Sequence, residues 1–329
     1  MRPKELMHLL SILIPAGKTV LIKGAPGTGK SDIVDASCRE VKADLMIKHP
    51  SIEDPTDPKG LPCVVDGKAV FLPYGDMMRM MTAKKRLVVF LDDLGQAPAC
   101  VQAAYMQLLL ARQIGGKKIS DHVTFIAATN RKEDRAGVTN ILEPVKSRFA
   151  TIVELTPNAD DWCEWAADHN VPTELIAYIR FRPQSLMATG TPTNDIVNRA
   201  CPRTVYNLGE LWNLGIQDHE SLAGAAGEGF ATEFLGFVRL WRSLPSIDGI
   251  LLNPKTTAVP SDPAALAAVS VALADRATED SSSRVMQYLA RLPEEYTALG
   301  IKHAQRRCPE IANCREFIMW ASSHQDILV

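Results

Sequence analysis

The chain has 329 residues, 46% of them apolar and 22% charged, with a formal net charge of −2. That length accommodates two domains, or one domain with a large extension, and the near-neutral balance gives no general electrostatic case for nucleic acid or an anionic membrane. Seven cysteines (Cys38, Cys63, Cys100, Cys163, Cys201, Cys308 and Cys314) form no C-x-x-C pair, so they read as reduced thiols and not as a disulfide framework.

The opening Met1-Arg2-Pro3-Lys4-Glu5 leads into a short, mostly apolar stretch before Pro15, without a small-residue cleavage site. No run approaches the ~20 apolar residues of a membrane span. The expectation is a protein of the cytoplasm. Thr19-Val20-Leu21-Ile22 reads as a short strand. Directly after it stands Gly24-Ala25-Pro26-Gly27-Thr28-Gly29-Lys30-Ser31, a full match to the phosphate-binding pattern G-x-x-x-x-G-K-[ST]. Residues 31–40 then suit a helix, with Ile33, Val34 and Ser37 at helical spacing.

Each residue type in this loop has a physical reason. Glycines let the backbone wrap a phosphate with its N–H groups, and the helix N-terminus adds positive dipole density. Lys30 is placed to reach the β- and γ-phosphates, and the Ser31 hydroxyl to ligate Mg²⁺. Strand, loop and helix in that order imply binding of a nucleoside triphosphate. The histidines are scattered, so no metal site other than the nucleotide's Mg²⁺ is legible.

Residues 60–74 predict an inserted hairpin. Pro62-Cys63-Val64-Val65 and Ala69-Val70-Phe71-Leu72 flank Asp66-Gly67, and Asp-Gly between apolar runs is a strong two-residue turn signal. Residues 86–91 form a near-continuous apolar run, as expected of a strand covered on both faces. A helix is expected over 99–112, a second buried strand over 123–128, and a closing strand over 152–155. This alternation predicts a parallel α/β sheet.

From Pro157 onward the character becomes helical. Helices are expected over 158–169, 172–181, 203–214 and 220–244, with Pro/Gly/Thr stretches such as 189–193 between them. Residues 245–259 read as loop. Asp262-Pro263 pairs an N-cap with proline at N1 and opens an alanine-rich helix to about 276. Its alanines (Ala264, Ala265, Ala267, Ala268, Ala272 and Ala274) read as helix packing, not as a binding face. Further helices are expected near 281–292, 293–306 and 309–322.

Three features add chemistry to the loop. The strand at 86–91 ends in Asp92-Asp93. The first carboxylate suits Mg²⁺, held through water, and the second can orient and polarise the attacking water. The strand at 123–128 runs into Thr129-Asn130-Arg131, and Asn130 can hold that water or contact the γ-phosphate. Arg148, in Ser147-Arg148-Phe149, and Arg203, in Cys201-Pro202-Arg203-Thr204, come later in the chain.

Phosphate loop, aspartate pair, asparagine and two arginines in this order resemble the AAA+ ATPases. The resemblance implies an AAA+ α/β nucleotide-binding base over 1–156, a helical lid over 157–244 and a helical C-terminal extension over 245–329. It implies that Arg148 is a finger reaching the neighbouring subunit's γ-phosphate and that Arg203 senses nucleotide in its own subunit. Arg131 and Arg135 compete for the finger role. ATP, as the nucleotide in place of GTP, is likewise implied by the resemblance alone.

The hairpin, Phe90-Leu91-Asp92-Asp93-Leu94-Gly95-Gln96-Ala97-Pro98, the helix from Val101, Asn130 to Ala136, Phe181-Arg182-Pro183-Gln184-Ser185-Leu186 and Pro202-Arg203-Thr204 resemble the MoxR branch of that family. The likeness covers roughly 15–215 well and the rest loosely. It implies a homo-oligomeric ring, typically a hexamer, and a protein partner with a von Willebrand factor A-like domain. It also implies ATP hydrolysis spent on remodelling or maturing a client. The Asp66-Gly67 hairpin and the loop Gly115-Gly116-Lys117-Lys118 are candidates for client contact.

One departure stands out: the family usually carries Asp-Glu where this chain has Asp92-Asp93. The shorter side chain sets its carboxylate on the order of 1 Å from the expected place, and misplacement on that scale can cost ~10²-fold in rate. Weak basal hydrolysis is the expectation, with an ATP-gated assembly protein as the alternative. A nucleic-acid motor or helicase loader is less favoured. The basic clusters Lys84-Lys85-Arg86, Arg131-Lys132 and Arg306-Arg307 lack an aromatic-basic stacking surface.

Overall fold

Apolar runs of strand length become one parallel sheet in the computed structural model, which describes residues 1–114, 116–134, 141–188, 195–242, 244 and 246–324. Two units divide the chain. The first holds Met1–Asp161 together with Asp195 and Cys201–Arg203. Its elements in order are α1 (Pro3–Leu13), β1 (Val20–Gly24), α2 (Lys30–Glu40), β2 (Asp44–Lys48), β3 (Leu61–Val65), β4 (Lys68–Leu72), α3 (Gly75–Thr82), β5 (Leu87–Leu91) and α4 (Ala99–Ala111). The two-residue strands β6 (Gln113–Ile114) and β7 (Lys117–Lys118), then β8 (Val123–Thr129), α5 (Glu143–Lys146) and β9 (Thr151–Leu155) complete it.

The five-stranded sheet runs β2-β5-β8-β1-β9, every pair parallel. Residues alternate between its faces, as strand geometry requires. Val20, Ile22, Val88, Phe90, Ile126 and Ala128 pack with Leu6, Leu10 and Ile14 from the α1 region and with Ile33, Val34 and Cys38 of α2. Leu21, Leu87, Val89, Leu91, Phe125 and Ala127 face the other side, with Met77 and Met80 of α3 and Val101, Tyr105 and Leu108 of α4. Burial on both faces is why these strands read as continuous apolar runs.

The expected hairpin is present as β3 and β4, paired antiparallel, with Asp66 (φ 49°) and Gly67 (φ 73°) both left-handed at the turn. Two positive φ values match the right-handed twist of the strands they join. β9 lies at one edge of the sheet. Besides the two-residue β6 and β7 and the four-residue α5, three elements were not evident in the sequence. α1 is started by Pro3 at N1, with the Glu5 carboxylate accepting from the Arg2 N–H at 2.9 Å. β2 is a half-exposed edge strand, and α3 is a short methionine-rich helix. The loop read at 115–118 carries β7 at 117–118; Gly115 lies outside the described residues.

The second unit holds Trp162–Ala188, Ile196–Ala200 and the described residues from Thr204 onward. It comprises the greater part of α6 (Ala159–Asp168) and of α8 (Pro202–Asn213), with α7 (Thr173–Phe181), α9 (His219–Ala226), α10 (Glu228–Arg242), α11 (Ile247–Leu252), α12 (Pro263–Asp275), α13 (Ser282–Leu289), α14 (Glu294–Arg307) and α15 (Arg315–Ser323). Asp262 caps α12 as expected, its carboxylate accepting from the N–H groups of Ala264 and Ala265 at 2.9 and 3.1 Å. Every residue from Ala264 to Ala274 is buried. A helix that is apolar all round is a core helix, and the alanines pack as expected.

Three expectations change here. The single helix over 220–244 breaks at Gly227 (φ 98°) into α9 and α10. A Cβ on Gly227 would meet the Asn198 carbonyl oxygen at 2.9 Å, so glycine is required by both conformation and space. The loop read over 245–259 contains α11, whose N-cap Ser246 accepts from the Gly249 N–H at 3.4 Å. The helix read over 309–322 is a 3₁₀ turn, Pro309–Asn313, followed by α15. The stretch 189–193 lies outside the described residues.

Candidate nucleotide-binding site

In a parallel sheet every strand ends at the same edge, and the loops leaving the strands gather there. β1 sits between β8 and β9, and β8 between β1 and β5, so the phosphate loop, Asn130 and the Asp92-Asp93 pair emerge together. Gly27 (φ 72°) and Gly29 (φ 85°) are left-handed, and Gly29 is the residue from which α2 starts. A Cβ on Gly27 would lie 2.5 Å from the Cys201 sulfur. The Arg203 N–H donates to the Gly27 carbonyl at 3.1 Å, which ties the 201–203 segment to the loop. Thr28 closes the turn by donating from its hydroxyl to the Ala25 carbonyl at 2.8 Å.

Lys30 is 7% exposed and Asn130 8%. The Lys30 ammonium donates to the carbonyls of Gly24 and Ala25, both at 3.0 Å, and to Asn130 Oδ1 at 2.8 Å. Asn130 in turn donates from Nδ2 to Asp93 Oδ1 at 3.1 Å. The chemistry of the partners fixes the amide's orientation: an ammonium can only donate and a carboxylate can only accept. A relay therefore joins the loop lysine to the second aspartate through the asparagine. Beside it, Ser31 donates from Oγ to Asp92 Oδ2 at 2.8 Å.

The electrostatics reflect this enclosure. Burial lowers the Lys30 pKa, opposed by the carboxylates of Asp93 and Asp92, while the nearby Arg203 charge lowers it further. Burial raises the Asp93 pKa, with help from the like charge of Asp92; Lys30, His49 and Arg203 pull the other way. Filling the loop with an anion would relieve the lysine's unfavourable enclosure, because a phosphate supplies the opposing charge where water cannot enter.

Ser31 and Asp92 present a hydroxyl and a carboxylate to one point, a hard-oxygen donor set of the type Mg²⁺ takes beside a nucleotide. Among the described residues there is no cluster of three or more histidine, cysteine, aspartate or glutamate side chains arranged to hold a metal.

The sequence-expected residues Gly24 to Ser31, Asp92, Asp93, Asn130 and Arg203 come together. Arg148 does not join them. It is half-buried, donates to Ser147 Oγ at 3.3 Å, and its Nε is buried without a partner. Arg131 is held by Asp134 through two hydrogen bonds of 2.9 and 2.8 Å, and also faces Glu154. Arg135 lies outside the described residues. Two residues of the site were not singled out in the sequence. Gln96 donates from Nε2 to Asp93 Oδ1 at 3.3 Å, and Cys201 covers Gly27. Gln96 could have been found from its place three residues after Asp93; Cys201 gave no signal.

Residues 20–157 match the family described as "ATPase family associated with various cellular activities (AAA)". That stretch is an AAA ATPase family domain, and the fold is that of an AAA+ P-loop NTPase followed by a helical C-terminal region. Among solved structures the chain is similar to the Thermotoga maritima RuvB Holliday junction branch migration motor, with 16% identity over 88% of this chain and 86% of that one and a TM-score of 0.40. It is also similar to NtrX from Brucella abortus in complex with ADP, at 13% identity over 99% and 68% of the two chains, with a TM-score of 0.43. A search of curated proteins returns no match. No helix among the described residues is long and apolar enough to cross a membrane.

Proposed function

We propose that this chain is a MoxR-type AAA+ ATPase of the cytoplasm that hydrolyses ATP at sites between ring subunits and spends the cycle on remodelling or maturing a partner protein. The observation that carries the reading is the Lys30–Asn130–Asp93 relay beside the Ser31–Asp92 pair, since it joins phosphate-binding, sensing and water-activating chemistry at one sheet edge. On this reading residues 1–156 are the base, 157–244 the lid and 245–329 an extension.

Gly24 to Ser31 cradle the phosphates, and Lys30 exchanges Asn130 for the β- and γ-phosphate oxygens. Ser31 and Asp92 would hold Mg²⁺, which offsets charge on the transferring phosphoryl group. Asp93 accepts a proton from water as the water oxygen bonds to the γ-phosphorus. The bond to the β–γ bridging oxygen breaks, and its electron pair stays on ADP. Asn130 keeps one Nδ2 N–H on Asp93 and has the second to offer to the γ-phosphate. Arg203 reads nucleotide in its own subunit.

Arg148 is assigned as the finger offered to a neighbouring subunit. Its guanidinium carries no ion pair among the described residues, whereas Arg131 is committed to Asp134 and Glu154. A ring, in the manner of a hexamer, follows from that assignment. The partner is expected to carry a von Willebrand factor A-like domain, and the β3–β4 hairpin and the 115–118 loop are the expected client contacts. Nucleic acid is not expected as a partner. Arg306 is paired with Glu164 and Arg131 with Asp134, so two of the three basic clusters are partly neutralised.

The test is ATP turnover per subunit with Mg²⁺ across protein concentration, with Lys30→Ala as the blank. Specific activity that rises with concentration is expected, because a neighbour must complete each site. The second reading, an ATP-gated assembly protein with little hydrolysis, is favoured by aspartate standing at position 93. It expects ring formation with ATP and no phosphate release even in Asp93→Glu, and recovery of turnover in that variant would count against it.

A further inference from the structure

Asp93 reaches the site by an unusual route. It has φ 54°, a left-handed conformation uncommon for any residue with a Cβ and retained only where the surroundings over-determine it. Immediately after it the chain makes a 3₁₀ turn, Leu94–Gln96, closed by the Gln96 N–H donating to the Asp93 carbonyl at 2.9 Å. In 3₁₀ geometry side chains three apart eclipse. Gln96 is thereby stacked over Asp93.

The turn cannot swing. Leu94 before Gln96 and Ala97 after it are both fully buried in the core beneath the sheet. From that fixed platform the Gln96 amide donates to Asp93 Oδ1 at 3.3 Å, and the Asn130 amide donates to the same oxygen at 3.1 Å. Asn130 is itself buried, and in the nucleotide-free protein Lys30 donates to its Oδ1. Two donors on one oxygen fix the rotamer of the carboxylate. Among the described residues no group donates to Oδ2, so Oδ2 is the oxygen left for water.

We propose that Gln96 is a positioning residue for Asp93: with Asn130 it clamps Oδ1 and presents Oδ2 to the attacking water. This rests on the reading of Asp93 as the water-activating group. The clamp explains how a side chain one methylene shorter than the family's glutamate is made serviceable. The aim of that shorter side chain is set by the amide pair. Gln96 touches neither nucleotide nor water in this scheme; it acts through Asp93.

The experiment compares Gln96→Met, which keeps length and removes the donor, with Gln96→Glu, wild type and Asp93→Asn. Turnover is measured against ATP concentration and pH at saturating assembly, and ATP binding is measured separately with a fluorescent analogue. In Gln96→Met, kcat is expected to fall by about 10- to 100-fold, the scale of a 1 Å misplacement, with KM and binding unchanged. Its acid limb should move to higher pH, since the lost donor had favoured the carboxylate form. Gln96→Glu should move the limb further by adding a like charge. Wild-type kcat and an unshifted profile in Gln96→Met would overturn the clamp while leaving Asp93 as the base. Loss of ATP binding in that variant would also overturn it, because Gln96 would then be shaping the phosphate loop. Full turnover in Asp93→Asn, or none in wild type and Asp93→Glu alike, would remove the reading beneath it and the clamp with it.

Discussion

The nucleotide edge of the sheet and the β3–β4 hairpin belong to the same unit and solve opposite problems. At the edge, charged groups are buried or half-buried and matched: Lys30 finds three acceptors, and Asp93 finds two donors. In the hairpin, apolar groups are exposed and unmatched. Val64 is 77% exposed, and Leu61, Val65, Val70, Phe71 and Leu72 are exposed as well. A buried polar network this complete is stiff, and it is preorganised for a ligand that supplies the missing charge. A two-stranded ribbon with water on both faces is marginal by itself, and its apolar side chains are the kind of surface that marks an interaction site. One region is built from matched charge, the other from exposed apolar surface.

The largest effect that sharpens this contrast lies at Arg148. Arg148→Ala is expected to lower kcat by ~10³–10⁵ while ATP binding is retained, the range found for guanidinium stabilisation of phosphoryl transfer. Phosphate-release assays together with equilibrium binding decide it, and a loss of binding would place Arg148 in its own subunit's site. Next is Gly27→Ala. Its Cβ would press on the Cys201 sulfur at a left-handed backbone position, so ATP affinity should drop by at least tenfold and the melting temperature should fall. Near-normal affinity would mean that the 201–203 segment moves aside freely.

Smaller effects come from pH. On the reading of Asp93 as the base, it must be ionised to accept a proton, and burial raises its pKa in the nucleotide-free protein, so the acid limb of kcat/KM should lie above the ordinary carboxylate range. Lys30 has a lowered pKa, so nucleotide affinity should weaken on the alkaline side below the pH at which an ordinary lysine deprotonates. A carboxyl whose folded pKa is raised contributes stability at low pH that is lost as pH rises through its folded value. A lysine whose folded pKa is lowered costs stability below that value, and the cost disappears above it. A pH series of thermal melts with Asp93→Asn and Lys30→Met separates the two.

The smallest basal effect belongs to the hairpin. Val64→Ser with Phe71→Ser should change stability by no more than about 0.5 kcal/mol, as for exposed positions generally, and leave turnover within about twofold. The loss should appear only in assays that contain the client or partner. A large fall in basal turnover would mean that the hairpin is already engaged within the ring.

Local chemistry was enough to make much of this protein legible in its sequence. The phosphate loop, the Asp-Gly turn, the Asp262 cap with Pro263 and the buried strands at 87–91 and 123–129 are each specified by residues close together in the chain. Backbone conformation and side-chain burial depend there on immediate neighbours. Other features depended on what lay across the fold. β2 was not legible because a half-exposed edge strand carries weak periodicity; α1 does carry a helical pattern, with Leu6, Leu10 and Ile14 four apart behind Pro3, and was overlooked. α9 and α10 read as one helix until the Asn198 carbonyl, distant in sequence, excluded any side chain at Gly227. The relay from Lys30 through Asn130 to Asp93 spans a hundred residues. Residue types could nominate its members, but only the parallel packing of β1, β8 and β5 brings their C-terminal ends to one place. The left-handed Asp93 with Gln96 folded over it is a tertiary decision too, since that backbone costs energy and persists only because Leu94 and Ala97 are locked in the core.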